Sequence, residues 1–397
     1  MTEGVTVRPS SSRAVMQPAI TGIIAVMTGF SSSFTLVLAA LVAVGATHRQ
    51  AASGLLAVCV MAGLASIIVP LRLRRPVSFS WSTPGAAALL AAGAPGGGFP
   101  VAVGAFIVAG ALTFIAGAWP AFERAILAIP RPIASAMLAG VLLPICMEPA
   151  RAAIRYPWVV VPMLLVWLVM LRLAPRWAVP AAMLVAVIGI VTMAGPAVFA
   201  GADLAPTLEW VAPEFDLAAT LTLAVPLFIV TMAGQHIPGF AVLSTFGYSP
   251  TVRPALMVSG VGSVLGAFAG GHAVNLAALS AALMAGPEAG EDRDRRWIAS
   301  AVNGVGYLVF GATTGVIAVL VAAAPPQLIT AAAGLGMLGA LVVALKAALE
   351  ETALGLPAVV TLVVTVSGVG VFGVGSALWG LAAGIVAHVA TSRLSPR

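Results

Sequence analysis

The chain has 397 residues, of which 61% are hydrophobic and only 8% are charged. Soluble domains carry roughly 25% charged residues, so this composition excludes a water-exposed surface and predicts that lipid covers most of the protein. The net charge is +6, but the chain has one lysine and its arginines are scattered between apolar runs, which argues against a nucleic-acid partner.

A polar N-terminal tail, residues 1–13, is followed by ten long stretches without Asp, Glu, Lys or Arg. A spanning helix needs about 20 residues, so six stretches hold one segment each and four hold two. The sequence therefore predicts an all-α polytopic membrane protein with 14 transmembrane segments. The six single stretches are 14–48, 50–71, 132–147, 156–171, 177–202 and 217–252, and the four double ones are 76–122, 254–287, 297–345 and 352–392.

The positions of the basic residues test this count. With a cytoplasmic N-terminus and alternating segments, 16 of the 19 Lys and Arg residues face the cytoplasm, and only Arg49, Arg151 and Arg155 face outside. The positive-inside rule expects such an imbalance. We therefore predict a multi-pass protein of the cell inner membrane with both termini in the cytoplasm.

An external loop, residues 196–216, separates seven predicted segments from another seven. An odd number of segments in each half forces the halves into opposite orientations. This is the inverted-repeat plan of many secondary transporters.

The third and tenth segments each predict a short strand followed by a half-helix. Serines alternate with large apolar residues before Pro84, so a helix over 84–92 would be capped by Ser82 or Thr83. In the tenth segment an extended stretch precedes Asn275, which we expect to cap a helix ending near 285. Non-helical backbone at membrane depth is tolerated where it lines a cavity buried in protein.

Two such half-helices in opposite orientations would direct their N-termini at a shared site. Each N-terminus carries about half a positive charge and would attract a carboxylate about 5 Å away by ~1.5–2 kcal/mol. Free backbone N–H groups would add directed hydrogen bonds. No Arg or Lys lies in these two segments, so we expect the helix ends to provide the positive field for a small organic anion.

Three ordered motifs resemble those of the benzoate/proton symporter family: 232–243 (MAGQHIPGFAVL), 271–278 (GHAVNLAA) with 286–289 (GPEA), and 373–380 (GVGSALWG). The resemblance implies the fold of nucleobase–cation symporters and sulfate-type transporters, with the substrate between the third and tenth segments and the first and eighth as walls. One departure is His236, where the family motif leads us to expect Asn. The resemblance also implies a core domain, residues 14–119 and 217–322, and a gate domain, residues 120–195 and 323–397.

Two polar residues of the eighth segment are the leading site candidates. We expect Gln235 to bind the substrate carboxylate and His236 to contact substrate and carry the proton, because histidine changes charge near neutral pH. The alternative is that both residues only bond other helices. The further candidates for substrate binding are Ser32, Ser80, Ser82, Thr83, Gly271, His272 and Asn275, and the candidates for contact with an aromatic ring are Phe30, Phe34, Phe79, Phe240 and Phe268.

The combined prediction is proton-coupled import of benzoate or a similar small aromatic carboxylate by alternating access. A nucleobase or inorganic-anion transporter of the same fold and a passive anion channel remain as alternatives. No nucleophile, phosphate-loop or metal-ligand pattern is present, so we predict no enzymatic activity, cofactor or metal. The expected partners are the anion, the proton and membrane lipid, and a homodimer is allowed.

Overall fold

The computed structural model describes residues 13–119, 130–200, 204–248, 252–369 and 376–392. The predicted tail before residue 13, the predicted domain boundary at 120 and the first half of the 373–380 motif lie outside these ranges. The first half of the chain contains α1 Arg13–Ala43, α2 His48–Leu73, β1 Phe79–Trp81, α3 Thr83–Ala92, α4 Phe99–Ala118, α5 Arg131–Arg155, α6 Pro157–Leu173 and α7 Ala178–Ala194. The second half contains α8 Leu217–Ser244, α9 Val252–Ala267, β2 Val274–Leu276, α10 Ala278–Ala285, α11 Trp297–Gly311, α12 Thr314–Ala323, α13 Pro326–Ala348, α14 Gly355–Val366 and α15 Ser376–Ser392.

Six of the described helices are long and apolar enough to cross a membrane: α1, α2, α4, α5, α8 and α13. The stretch that includes α11 forms, with α12, a pair bent by 54°, which gives a seventh span if the two are counted together. Most of the remaining helices are apolar but only 10–17 residues long. The protein is therefore a mostly helical polytopic membrane protein, while the number of 14 segments stays a prediction.

The two predicted strands are both present, and they pair with each other. β1 and β2 run antiparallel, with Ser80 opposite Asn275. Each strand leads directly into a short helix, α3 or α10. The pairing places the two strand–helix units side by side inside the protein, where backbone that is not helical has hydrogen-bond partners.

The start of α3 follows its local sequence. The hydroxyl oxygen of Ser82 accepts a hydrogen bond from the N–H of Gly85 at 3.0 Å, and Pro84 lies in the first turn. Both features favour helix initiation. The helix ends at Gly93, whose φ of +74° suits glycine.

The predicted cap of the second short helix was wrong. Asn275 lies in β2, and α10 begins three residues later at Ala278, after Ala277, which has no capping side chain. The strand pairing holds Asn275 opposite Ser80, and its side chain bonds Ser82 and the carbonyl of Leu276 instead of the first turn of α10. The hydrogen-bond acceptor comes instead from α8, as described below.

The helix α8 contains two π-helical turns, Thr220–Ala224 and Met232–His236. A proline follows each turn by two residues, at Pro226 and Pro238. Proline has no N–H to bond the carbonyl four residues earlier, so the regular hydrogen-bond ladder is interrupted at both places. π-turns of this kind occur frequently at functional sites.

The helices pack in two groups. In one group α2 packs on α11, α4 on α9, and α1 on α11; in the other α5 packs on α13 and α14, and α14 on α15. The groups meet where α1 contacts α13 and where α3 contacts α5. Along this contact lies the space that forms the candidate site.

Candidate functional site

A cavity of about 460 Å³ lies where the two groups of helices meet. The N-terminal ends of both short helices reach its wall, through Thr83 and Pro84 of α3 and Ala278 of α10. Ligand sites for small molecules typically enclose about 300–1,000 Å³ and are mostly apolar with a few polar groups. The cavity is also lined by Ser32, Arg131, Leu138, Leu142, Gln235 and Met337.

Three of the nine predicted site residues line this cavity: Ser32, Thr83 and Gln235. They come from α1, α3 and α8, so three separate parts of the sequence meet here as the segment prediction required. The other six candidates lie outside the lining. Ser80 and Asn275 lie in the two strands, and Ser82 caps α3. Gly271 and His272 precede β2, and His236 lies in the second π-turn of α8.

Gln235 connects the eighth segment to the second short helix. Its side-chain oxygen accepts a hydrogen bond from the N–H of Ala278 at 3.2 Å, which satisfies a free donor at the first turn of α10. The residue is 7% exposed and sits in the π-turn. Its amide nitrogen has no hydrogen-bond partner among the described residues, so a donor remains for a ligand in the cavity.

His236 follows Gln235 but turns away from the cavity. It is fully buried, its ring stacks near that of Phe240 with centroids 6.3 Å apart, and neither ring nitrogen has a hydrogen-bond partner among the described residues. A buried polar group without a partner is costly. The structure therefore shows a histidine held next to the site rather than in its wall.

Three of the four remaining polar candidates form a network that fixes the start of α3, while the fourth, Ser80, lies opposite Asn275 in the strand pair. A ring nitrogen of His272 lies 3.0 Å from the carbonyl oxygen of Ser82. The hydroxyl of Ser82 lies 2.6 Å from that of Thr231 on α8. With its amide oriented to suit its neighbours, Asn275 accepts from the N–H of Ser82 at 3.2 Å. These contacts position the first turn of α3 from three sides.

Gly271 has a steric role. A Cβ atom there would lie 3.0 Å from the carbonyl oxygen of Gly266 and 3.0 Å from Val58. The chain thus approaches α2 and α9 closely just before β2.

Ser33 of α1, beside the predicted Ser32, ties α1 to the first strand–helix unit. Its hydroxyl accepts a hydrogen bond from the indole N–H of Trp81 at 2.9 Å and one from the hydroxyl of Thr83 at 3.3 Å. Ser32 itself donates to the carbonyl of Gly29 in its own helix at 2.9 Å. The sequence prediction selected Ser32, which lines the cavity, but did not anticipate the bonds of Ser33 to Trp81 and Thr83.

The five predicted phenylalanines do not line the cavity. Phe30 stacks on Phe310 at 4.4 Å between ring centroids and also contacts Trp81 at 5.5 Å, while Phe268 stacks on Trp210 at 4.7 Å. These rings pack against other rings instead of a ligand. The apolar wall is aliphatic, with Leu138, Leu142 and Met337 among its members.

A cationic side chain from outside the third and tenth segments reaches the cavity. Arg131, the first residue of α5, lines the cavity and lies 3.8 Å from Glu350 in an exposed ion pair. Arg131 lies outside the third and tenth segments, in which the sequence contains no Arg or Lys. Its guanidinium brings a positive charge to the cavity wall, which the nearby Glu350 carboxylate partly offsets.

A second cavity, of about 920 Å³, lies at the other end of α3. It is lined by Gly93, Thr222 and the carboxylate-bearing Asp216, and by neither Gln235 nor the N-termini of α3 and α10. A carboxylate and the negative end of a helix repel an anion. The smaller cavity is therefore the better candidate for binding an anion.

The fold is similar to that of solved membrane proteins. The transmembrane domain of a cyanobacterium bicarbonate transporter, BicA, superposes with a TM-score of 0.57 at 14% identity, covering 95% of this chain and 98% of that chain. The overall structure of SLC26A9 gives a TM-score of 0.57 at 13% identity, covering 94% of this chain and 65% of that chain. At this identity the likeness concerns the fold alone.

The family model named BenE, benzoate membrane transport protein, matches residues 13–390. Two curated relatives agree with it. The "Benzoate membrane transport protein" of Acinetobacter baylyi is 32% identical over 376 residues, 93% of each chain. The "Inner membrane protein YdcO" of Escherichia coli is 37% identical over 379 residues, 95% of this chain and 96% of that one. This chain belongs to the BenE family of membrane transport proteins, which confirms the resemblance seen in the sequence.

Proposed function

We propose that the protein is a secondary active transporter of the inner membrane that imports benzoate, or a similar small aromatic carboxylate, together with a proton. The observation that carries the proposal is the 460 Å³ cavity, where the N-termini of two short helices meet Gln235 among aliphatic side chains. Such a site offers directed donors for a carboxylate and an apolar surface for a ring. Family membership supports the substrate class.

In this proposal the carboxylate lies at the helix ends. Side-chain donors on the wall that have no hydrogen-bond partner among the described residues include the amide nitrogen of Gln235 on α8 and the hydroxyls of Thr28 on α1 and Ser135 on α5. The aromatic ring lies against Leu138, Leu142 and Met337. Because the donors come from three elements, movement of either group of helices would change the site as a whole.

The proton is proposed to be carried by His236. The ring is buried next to Gln235 and has no hydrogen-bond partner among the described residues that would hold one protonation state. A substrate anion bound beside it would favour the protonated ring, and the protonated ring would favour the anion. Binding of proton and substrate would thereby be coupled.

Alternating access is proposed to arise from movement of one group of helices against the other. The antiparallel pairing of the two strand–helix units supports a 14-segment, seven-plus-seven inverted repeat, with the predicted core domain carrying the site and the gate domain facing it. The cavity extends to Arg131 and Ala347, at ends of α5 and α13 that the charge pattern assigns to the cytoplasm. This supports an inward-open arrangement with cytoplasmic termini.

Binding to the purified protein tests the substrate. Labelled benzoate should bind and should be displaced by substituted benzoates, but not by bicarbonate, sulfate or uracil at the same concentration. Displacement by the inorganic anions or by uracil, with no preference for aromatic carboxylates, would contradict the assignment.

A further inference from the structure

A cluster of arginines surrounds a separate pocket of about 460 Å³ at the surface. The pocket lies where α2 ends, where the chain turns after α8, and at the short turn Arg293–Arg295 before α11. It is lined by Leu73, Arg74, Arg75, Gly247, Tyr248, Arg293 and Asp294. With three guanidinium groups and one carboxylate in the lining, its charge is positive.

Two of these arginines are held in place by aromatic rings. The guanidinium carbon of Arg74 lies 4.4 Å from the ring centroid of Trp297, and that of Arg293 lies 5.1 Å from the ring centroid of Tyr248. Arg293 also donates to the carbonyl of Phe246 at 2.8 Å, and Tyr248 donates to the carbonyl of Arg293 at 3.0 Å. The cationic groups are therefore pre-positioned around the pocket.

Arg74 adopts a backbone conformation that favours glycine. Its φ of +52° is the only positive φ at a non-glycine position among the described residues. It ends α2 and donates its N–H to the carbonyl of Pro70 at 2.8 Å. A glycine or asparagine would fit the same backbone at lower cost, so the arginine side chain has a use that the helix end does not explain.

The surface beside the pocket is apolar. On α2, Leu64, Ile68 and Leu71 are exposed and, at spacings of four and three residues, lie on one face of the helix. In a membrane protein such a face contacts lipid chains. The pocket thus lies at the boundary between lipid chains and water, on the side that the positive-inside rule places in the cytoplasm.

We propose that this pocket binds the headgroup of an anionic phospholipid of the inner leaflet, with the acyl chains along the exposed face of α2. The phosphate accepts hydrogen bonds from Arg74 and Arg293, while Trp297 and Tyr248 lie at headgroup depth. Basic pockets between membrane helices on the cytoplasmic side commonly serve this purpose. The lipid would bind only to the proposed core domain, at a distance from the substrate cavity.

The test measures lipid binding to the purified full-length protein by native mass spectrometry and by thermal unfolding in detergent. Phosphatidylglycerol should bind and raise the melting temperature more than phosphatidylcholine does. The double variant Arg74→Gln with Arg293→Gln should lose roughly 30-fold in affinity for phosphatidylglycerol. A matched control, Arg155→Gln with Arg172→Gln, removes two exposed arginines elsewhere and should leave binding unchanged.

A second variant keeps the test independent of misfolding. Asp294→Asn removes the one carboxylate of the lining and should strengthen phosphatidylglycerol binding. Equal binding by the wild type and both pocket variants would overturn the proposal. An equal effect of inorganic phosphate without lipid would also overturn it, in favour of a site for a free anion.

Discussion

Gln235 acts on two elements at once, because its side chain belongs to α8 while its oxygen caps α10. The same amide has a nitrogen left to donate into the cavity. A glutamine at this position therefore links the geometry of the second short helix to ligand binding. The carbonyl oxygen fixes the helix, and the nitrogen is the group we propose for the carboxylate.

Replacing Gln235 by Ala should lower benzoate uptake at least tenfold. The change removes the donor to the substrate and leaves the N–H of Ala278 without its acceptor, and a lost hydrogen bond to a charged group is worth about 1.5–3 kcal/mol. Uptake rates at several benzoate concentrations would show a raised KM. Ser31→Ala is the control, since that hydroxyl bonds only carbonyls of its own helix. Unchanged KM in the Gln235 variant would contradict the role.

Replacing His236 by Gln should separate substrate movement from proton coupling. Gradient-driven accumulation should be lost, whereas exchange of labelled for unlabelled benzoate across the membrane should persist, because the cavity wall does not include this residue. Both assays can be run on the same vesicles. Accumulation at the wild-type level would show that the proton is carried elsewhere.

At the scale of the elements, α10 is held at both ends by side chains that lie outside it in the sequence. Gln235 bonds its first turn, and Arg296, only 6% exposed, donates to the carbonyls of Ala285 at 2.6 Å and Gly290 at 2.8 Å. A cation at a helix C-terminus also interacts favourably with the negative end of the helix dipole. The sequence reading assigned no role to the charged loop that contains Arg296.

Arg296→Gln should destabilise the folded protein by about 2 kcal/mol, because it leaves buried carbonyls at the end of α10 without their donor. Arg295→Gln is the matched control, since the neighbouring Arg295 is an exposed partner of Asp292 at 3.2 Å and such pairs contribute little. Unfolding titrations in detergent would compare the two. Equal stability of both variants would contradict the capping role.

The contact between α8, α3 and α5 depends on the absence of a side chain at Gly234. A Cβ there would lie 2.9 Å from Pro84 and 3.2 Å from Leu138. Gly339 also lines the cavity, but a Cβ there meets nothing within 4 Å. Gly234→Ala should therefore reduce uptake about tenfold while Gly339→Ala has little effect, as measured by initial rates in vesicles with equal protein content. Equal uptake rates of the two variants would show that Pro84 and Leu138 can shift to accommodate a side chain at position 234.

The first short helix could be predicted closely at both ends, whereas only the C-terminal end of the second, near 285, was predicted correctly. Pro84 and the capping Ser82 are local signals, so the predicted range 84–92 differs by one residue from Thr83–Ala92. In the tenth segment the cap comes from Gln235, about 40 positions earlier in the chain, and no local pattern shows it. The π-turn that holds Gln235 and the approach of Arg131 on α5 to the cavity also depend on packing between distant segments.

At the scale of the whole molecule, composition and charge pattern were sufficient to predict a polytopic membrane protein, because these properties are set by lipid rather than by particular contacts. The ordered motifs predicted the family, and the match over residues 13–390 confirms it. Substrate and proton coupling depend on a few groups around one cavity. Both are therefore tested by transport measurements.

The most direct test is uptake of labelled benzoate by proteoliposomes containing the purified protein, with and without an inward proton gradient. We predict that benzoate accumulates above its external concentration only when the gradient is present, and that a proton ionophore abolishes the accumulation. Equal uptake with and without the gradient would indicate a passive channel, and no uptake in either condition would contradict benzoate as the substrate.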